Sequence, residues 1–319
     1  MSHPGGRATS GELPARGYRH EAVLYRGDDG FADALAPFVA DAVEAGEPVL
    51  VVVGPAKAGL LRRRLGDAWS AVRLGDADVG ANPARLLALW RAFLAEHARA
   101  GGRVRGVAEP FDVRRRPAER RECELHEGLL NVAFGPDTPF WLRCPYDADQ
   151  LAPVELAAAG RTHPHLVEAG SSRPSDTYEP LAADRALAAP LAPVPSGADP
   201  VAFDAPSLAD LRALVAERAR RAGVPERRVA DAVLAVDELA TNSVRYGGGG
   251  GTLRTWTEDD HFLVEVADAG RLRDPLAGRF LPPTDQGCGR GLFIANQLAD
   301  LVQIHSGDAG TAVRLHLRR

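Results

Sequence analysis

Asp237-Glu238-Leu239-Ala240-Thr241-Asn242 is the stretch on which the reading of the fold turns. It lies in a run whose apolar residues, Val229, Val233, Val236, Ala240 and Val244, recur at helical spacing between Pro225 and a glycine tract at 247–251. Glu238 and Asn242 therefore stand one turn apart on one helix face. An amide oxygen suits a hard cation such as Mg2+, and a carboxylate one turn away can take a proton from a hydroxyl or from water. In isolation, an E-x-x-x-N pair is more often solvated surface.

The neighbouring segments add to it. Upstream, Ser207-Leu208-Ala209-Asp210 reads as a capping box for a helix that carries Leu208, Leu211, Leu214 and Val215 and stops at Gly223. Downstream, strands are expected at 252–257 and 262–267, and Asp268-Ala269-Gly270 follows the second. A carboxylate at a strand end can accept a hydrogen bond from an exocyclic amine, and a glycine beside it lets a flat base approach the backbone. Gly287-Cys288-Gly289-Arg290-Gly291-Leu292 then leads into a helix with Phe293, Ile294, Leu298 and Ala299. A glycine-rich loop before a helix points backbone N–H groups at a polyphosphate. Strand-like segments at 301–305 and 311–317 close the chain.

This order of pieces over about residues 200–319 resembles the GHKL ATP-binding fold of gyrase, Hsp90, histidine kinases and MutL. The resemblance implies an α/β sandwich that binds ATP and Mg2+. It casts Asn242 as the Mg2+ ligand, Glu238 as catalytic base, Asp268 and Gly270 as the adenine readers, and Thr311 as their support. Gly287, Gly289 and Gly291, with Arg290 and Leu292 between and after them, become the phosphate loop. One departure is plain: Asp268-Ala269-Gly270-Arg271-Leu272 has leucine where the family has a second glycine.

Within that superfamily, gyrase, Hsp90 and MutL relatives carry large transducer domains that this chain has no room for. Histidine kinases carry a phosphoacceptor helical hairpin, whereas His163 and His165 here flank a proline that opposes a long helix. Only 16 residues separate Gly270 from Gly287, so the lid is short. The compact domain and the run from Asp237 to Arg245 resemble the anti-sigma-factor serine kinases of the RsbW type. That resemblance implies binding of a sigma factor and phosphorylation of a serine on a STAS-type anti-anti-sigma partner. Two alternatives stand beside it: an anti-sigma protein that holds ATP without transferring phosphate, and an atypical sensor histidine kinase.

The N-terminal half alternates strand and helix. The 49–53 run is uniformly β-branched or Leu, as in a strand buried on both faces. Asp28 or Asp29 is expected to cap one helix. Asn82 caps another that Pro83 opens, and helical spacing recurs at 118–133. Repeated βα units predict a mostly parallel sheet covered by helices. Gly54-Pro55-Ala56-Lys57 after the apolar run matches no nucleotide loop. Gly17-Tyr18-Arg19-His20-Glu21, the stretch from Glu124 to Phe134, Cys144-Pro145-Tyr146-Asp147 and Thr162-His163-Pro164 resemble the MEDS sensory domains. This implies a receiver for an unidentified small-molecule or protein signal, and the pairing with an ATPase is similar to RsbA-family stress regulators. Cys123, His126, Cys144, His163 and His165 could build a metal site, but no pair has a recognised zinc-ligand spacing, and the favoured reading is a buried thiol with helix and loop histidines.

Between the halves, residues 171–206 hold 7 Pro and 9 Ala among 36 residues. Such a composition buries little and favours extended backbone. The expected division is a disordered tail at 1–16, a sensory domain at 17–170, a Pro/Ala-rich linker at 171–200 and the ATPase domain at 201–319. The 38 Lys and Arg against 43 Asp and Glu give a net charge of −5, which supplies no basic field for nucleic acid or an anionic membrane. The three cysteines lack a CxxC spacing, and no apolar run approaches a membrane span, so a cytoplasmic protein is expected, with a homodimer suggested by resemblance alone.

Overall fold

The computed structural model describes residues 17–76, 82–97, 102–182, 185–282 and 289–319. The expected tail at 1–16 lies outside them. The N-terminal part runs β1 (Arg19–Tyr25), α1 (Gly27–Glu44), β2 (Val49–Val52), α2 (Pro55–Leu65), β3 (Val72–Leu74), α3 (Pro83–His97), β4 (Val104–Ala108), α4 (Pro117–Ala133), β5 (Phe140–Asp147), α5 (Pro153–Thr162), β6 (His165–Glu168) and β7 (Ser171–Pro174). Its seven strands are ordered β3-β2-β4-β5-β1-β6-β7, and every pair is parallel except β6 with β7.

Strand β2 shows why its sequence is apolar throughout. Val49 and Val51 pack on one face with Phe31, Leu35 and Leu61, while Leu50 and Val52 pack on the other with Leu86, Leu87 and Trp90. Helices α1 and α2 therefore cover one face, and α3 and α4 the other, as a doubly wound sheet requires. The Asn82 cap is present, with its Oδ1 accepting the Ala84 N–H at 3.1 Å. The expected aspartate cap of α1 is absent: Arg26 holds the N-cap position, and Asp28 and Asp29 lie in the first turn. There they still favour the positive end of the helix dipole.

The C-terminal part runs β8 (Val201–Asp204), α6 (Leu208–Arg221), α7 (Glu226–Tyr246), β9 (Gly250–Glu258), β10 (His261–Asp268), α8 (Arg290–Leu298), β11 (Leu301–Gly307) and β12 (Gly310–Arg318). The sheet is antiparallel in the order β11-β12-β10-β9-β8. Val264 and Val266 of β10 and Val313 and Leu315 of β12 face a core shared with Val236, Leu239, Ala240 and Ala295 of the helices. This is the α/β sandwich expected. The expected capping box at Ser207 is not formed, because the Ser207 hydroxyl bonds Asp204 at 2.8 Å instead of the helix N–H groups.

The opposite face of this sheet is polar yet buried. Arg314 donates to Glu265 at 2.7 Å, and His316 meets Gln303 at 3.1 Å. The segment expected to be a loose linker helps cover that face. Its ends are strands β7 and β8, one in each sheet, and its middle is fastened to both halves. Ala186 joins the N-terminal core and Leu187 the C-terminal one. The Leu187 carbonyl accepts the Ser306 N–H at 2.8 Å, and the Ala189 and Ala192 carbonyls accept from Arg121 and Arg314 at 2.6 and 2.8 Å. The residues are poor in apolar bulk, as the composition says. Their carbonyls, unused by any ladder, hold the segment in place through arginines instead.

The two halves also meet directly. Arg85 of α3 donates to the carbonyls of Asn296 and Ala299 at the end of α8, at 2.8 and 2.6 Å. Glu122 of α4 pairs with Arg279 at 3.5 Å, each side chain only 4% exposed. Burial pushes the Glu122 carboxyl up and the Arg279 guanidinium down, and each opposes the other's shift by its charge. Removing one partner of such a pair strands a buried charge. Glu122→Gln is expected to cost about 3–5 kcal/mol in urea unfolding, with the Glu122→Gln/Arg279→Met double variant recovering most of it. A loss under about 1 kcal/mol would mean that the halves do not close around this pair in solution.

Candidate functional site

The site is built where α7, β10 and β12 come together. Asp268 is the last residue of β10, opposite Thr311 of β12. Its Oδ2 accepts the Ser243 hydroxyl at 2.6 Å, and its Oδ1 accepts the Gly270 N–H at 2.7 Å. Glycine makes this approach possible. A Cβ on Gly247 would stand 2.4 Å from the Asp268 Cγ, and one on Gly310 would stand 2.1 Å from the Asp268 carbonyl oxygen. Gly310 also has φ +122°, a conformation that L side chains rarely adopt.

Thr311 fastens the turn that follows. Its hydroxyl donates to the Gly270 carbonyl at 2.9 Å and lies 2.8 Å from the Ser306 hydroxyl, which accepts the Leu272 N–H at 2.9 Å. The turn after Asp268 is thereby held by side chains where the related glycine pattern is broken. The Leu272 side chain packs against the helix-side core and lines the cleft.

These residues surround a cleft of about 730 Å³, within the usual range for small-molecule sites. Asn242, Asp268, Gly270, Gly289, Leu292 and Thr311 line it. Glu238, Arg290 and Gly291 are not among the residues that line it. Gly291 lies in the first turn of α8 against α7, where an added Cβ would come within 2.8 Å of the Asn242 Nδ2 and 2.9 Å of the Glu238 Oε2. Gly289 is the N-cap of α8 with φ +95°. Gly287 lies outside the described residues. The cleft fits a nucleotide: one carboxylate sits at a glycine-lined floor, and the Asn242 amide group lies beside the start of a helix.

The sequence reading missed several residues here. Ser243 and Gly247 were visible as the next residue of the helix and as part of a glycine tract, but only the fold turns them toward Asp268. The outer wall had no local signal. Arg91 and Ala133 of the N-terminal half line the cleft, and the Arg91 guanidinium lies 4.1 Å over the Phe280 ring of the segment that closes it. Leu276 and Phe280 of that segment pack on the N-terminal core. Residues of the N-terminal half are thus part of the cleft wall.

Residues 19–164 match the family MEDS, the MEthanogen/methylotroph, DcmR Sensory domain, and residues 201–317 match the histidine kinase-like ATPase domain. No curated protein matches the chain. Among solved structures, the RsbU and RsbW domains of Rv1364c from Mycobacterium tuberculosis are similar at 23% identity with a TM-score of 0.29. The similarity covers 40% of this chain and 33% of that one, so this chain spans about a third of that chain's length. Among the described residues, no helix is long and apolar enough to cross a membrane. The chain therefore joins a MEDS sensory domain to a C-terminal domain of the histidine kinase-like, GHKL-type ATPases.

Proposed function

We propose that this chain is a signal-responsive anti-sigma regulatory factor that binds ATP and Mg2+ and phosphorylates a serine on a STAS-type anti-anti-sigma partner, and so controls the availability of a sigma factor. The observation that carries the reading is the convergence of Asn242, Asp268, Gly270, Gly289 and Thr311, from four separate stretches of chain, on one cleft. In this assignment Asp268 accepts the adenine amine, with Gly270 beside it. Thr311 holds the floor, Asn242 offers its amide oxygen to the cation, and the start of α8 at Gly289 faces the phosphates. Bound Mg·ATP supplies the transferable phosphoryl group and the countercharge on its oxygens. Glu238 accepts the proton of the incoming serine hydroxyl.

The fold favours an external serine over a histidine of this chain. The segment before the ATPase sheet is extended and stapled down, with no helical hairpin between 175 and 200 among the described residues. His163 is fully buried. A reading in which ATP is only a conformational ligand draws on Leu272, whose side chain lines the cleft where the family has glycine. In either case the signal reaches the nucleotide through the cleft wall that the sensory domain supplies.

The decisive experiment incubates the chain with labelled ATP, Mg2+ and candidate STAS proteins and maps the phosphate. Acid-stable phosphate on a partner serine is expected; acid-labile phosphate on a histidine of this chain would reject the assignment. Asn242→Ala is expected to abolish transfer while sigma-factor binding persists, and transfer that survives it would count against the cation assignment. Asp268→Asn should weaken ATP roughly ten- to a hundredfold by calorimetry, the worth of a hydrogen bond to a charged group. Gly247→Ala, which forces Asp268 aside, should weaken ATP at least about tenfold with the melting transition retained. Unchanged affinity in both variants would remove Asp268 from the site.

A further inference from the structure

Inside the sensory domain, four side chains from four elements meet, none of them lining the cleft. His20 comes from β1, Glu127 from α4, Cys144 from β5 and His163 from the C-cap of α5. All four are buried, none more than 1% exposed. One ligand atom from each lies within 4.8 Å of the others. Glu127 Oε2 is 3.0 Å from His20 Nε2 and 3.2 Å from His163 Nε2, and Cys144 Sγ is 3.4 Å from His20 Nε2. A tetrahedral ion with N, O and S ligands at about 2.0–2.3 Å has edges of about 3.3–3.8 Å. The cluster is close to that shape.

The hydrogen bonds around it fix which atoms face inward. Asn131 gives its amide N–H groups to the Glu127 and Thr162 carbonyls at 3.3 and 2.8 Å, which turns its Oδ1 toward His20 Nδ1 at 3.1 Å. His163 Nδ1 faces the Ala159 carbonyl at 2.9 Å. Each Nδ1 therefore donates, and in the neutral ring each Nε2 presents a lone pair to the cluster. Two lone pairs and a carboxylate oxygen then point at one another with no proton between them. Nor does Glu127 meet a lysine or arginine among the described residues: its ion-pair partners are the two histidines, and its Oε1 has no hydrogen bond. A buried carboxylate so placed needs a cation. The hydroxyls of Tyr18 and Tyr146, whose rings flank His20 and His163, are also buried without a partner.

We propose that His20 Nε2, Glu127 Oε2, Cys144 Sγ and His163 Nε2 are the ligands of a closed four-coordinate site for a divalent transition-metal ion of the zinc class. The mixed nitrogen, sulfur and oxygen set suits such an ion and not Mg2+ or Ca2+, which take oxygen donors. Each histidine has its other nitrogen tied to an oxygen, the outer-shell arrangement that orients metal-bound imidazole. On binding, the Cys144 thiol proton passes to solvent, and the thiolate with the Glu127 carboxylate neutralises the ion. Full burial with four protein ligands makes the site structural: the ion ties α4 and α5 to the sheet. Cys123 and His126, on the same helix as Glu127, stay outside it. The Cys123 thiol bonds the Pro110 carbonyl at 3.1 Å instead.

The full chain, stripped with a chelator and refilled, tests this. One zinc per chain is expected by elemental analysis, and zinc should raise Tm by several degrees. Cobalt(II) should give a thiolate charge-transfer band in the near ultraviolet. Cys144→Ser should lose the band and the Tm response, while Cys123→Ser keeps both. Where Cys144→Ser does not fold, the cobalt band and the zinc-dependent Tm of the unaltered chain decide alone. A stripped chain that takes up no metal, with Tm indifferent to zinc and no cobalt band, would overturn the proposal and leave a protonated imidazole as Glu127's counterion. A Cys123→Ser variant that loses the band would also overturn it.

Discussion

The C-terminal cleft depends on a steric constraint around one carboxylate. Asp268 occupies a place that no side chain may share, because Gly247, Gly270 and Gly310 all lie where a Cβ would collide with it or its backbone. Ser243 and the Gly270 N–H then take one carboxylate oxygen each, so the group is pinned without losing its remaining lone pairs. The last turn of α7, the end of β10 and the start of β12 are thereby brought to one point. Every other part of the cleft is placed relative to it.

Much of this was legible because it is local. The spacing of Glu238 and Asn242 is set by one helix, Asp268 by the end of one strand, and the cap at Asn82 by one Asn-Pro pair. The apolar run at 49–53 could only be a strand covered on both faces, and it is. What failed did so through competition or distance. Ser207 has the spacing of a capping box, but Asp204, three residues before it, takes its hydroxyl. Strands β7 and β8 are four residues each and exist through their ladder partners, which composition does not reveal. Cys144 and His163 group in the sequence with Cys123, His126 and His165, a set without a zinc-ligand spacing. The structure puts Glu127 in place of its neighbour His126 and adds His20, 124 residues before Cys144, and no ligand-spacing rule spans a fold whose strands are adjacent in space but distant along the chain.

Helix α4 connects the two regions of chemical interest. Glu127 lies in the four-residue cluster, Glu122 reaches Arg279 beyond the sensory domain, and Ala133 at its end lines the C-terminal cleft. This helix of 17 residues thus meets the buried cluster through Glu127 and the C-terminal half through Glu122 and Ala133. The buried polar face of the second sheet belongs to the same arrangement. Glu265, Arg314, Gln303 and His316 would be a poor solvent-facing surface only if uncovered, and the connector together with the sensory domain covers them.

The arginine contact at the far end of α8 has a mechanical meaning. Arg85 closes the carboxyl-terminal carbonyls of a nine-residue helix whose opposite end is Gly289, at the mouth of the cleft. Such a rod is about 13 Å long and nearly incompressible. A displacement of α3 at its tail is therefore carried along the rod to Gly289 at its head, 7 to 10 residues away in sequence from the carbonyls that Arg85 holds.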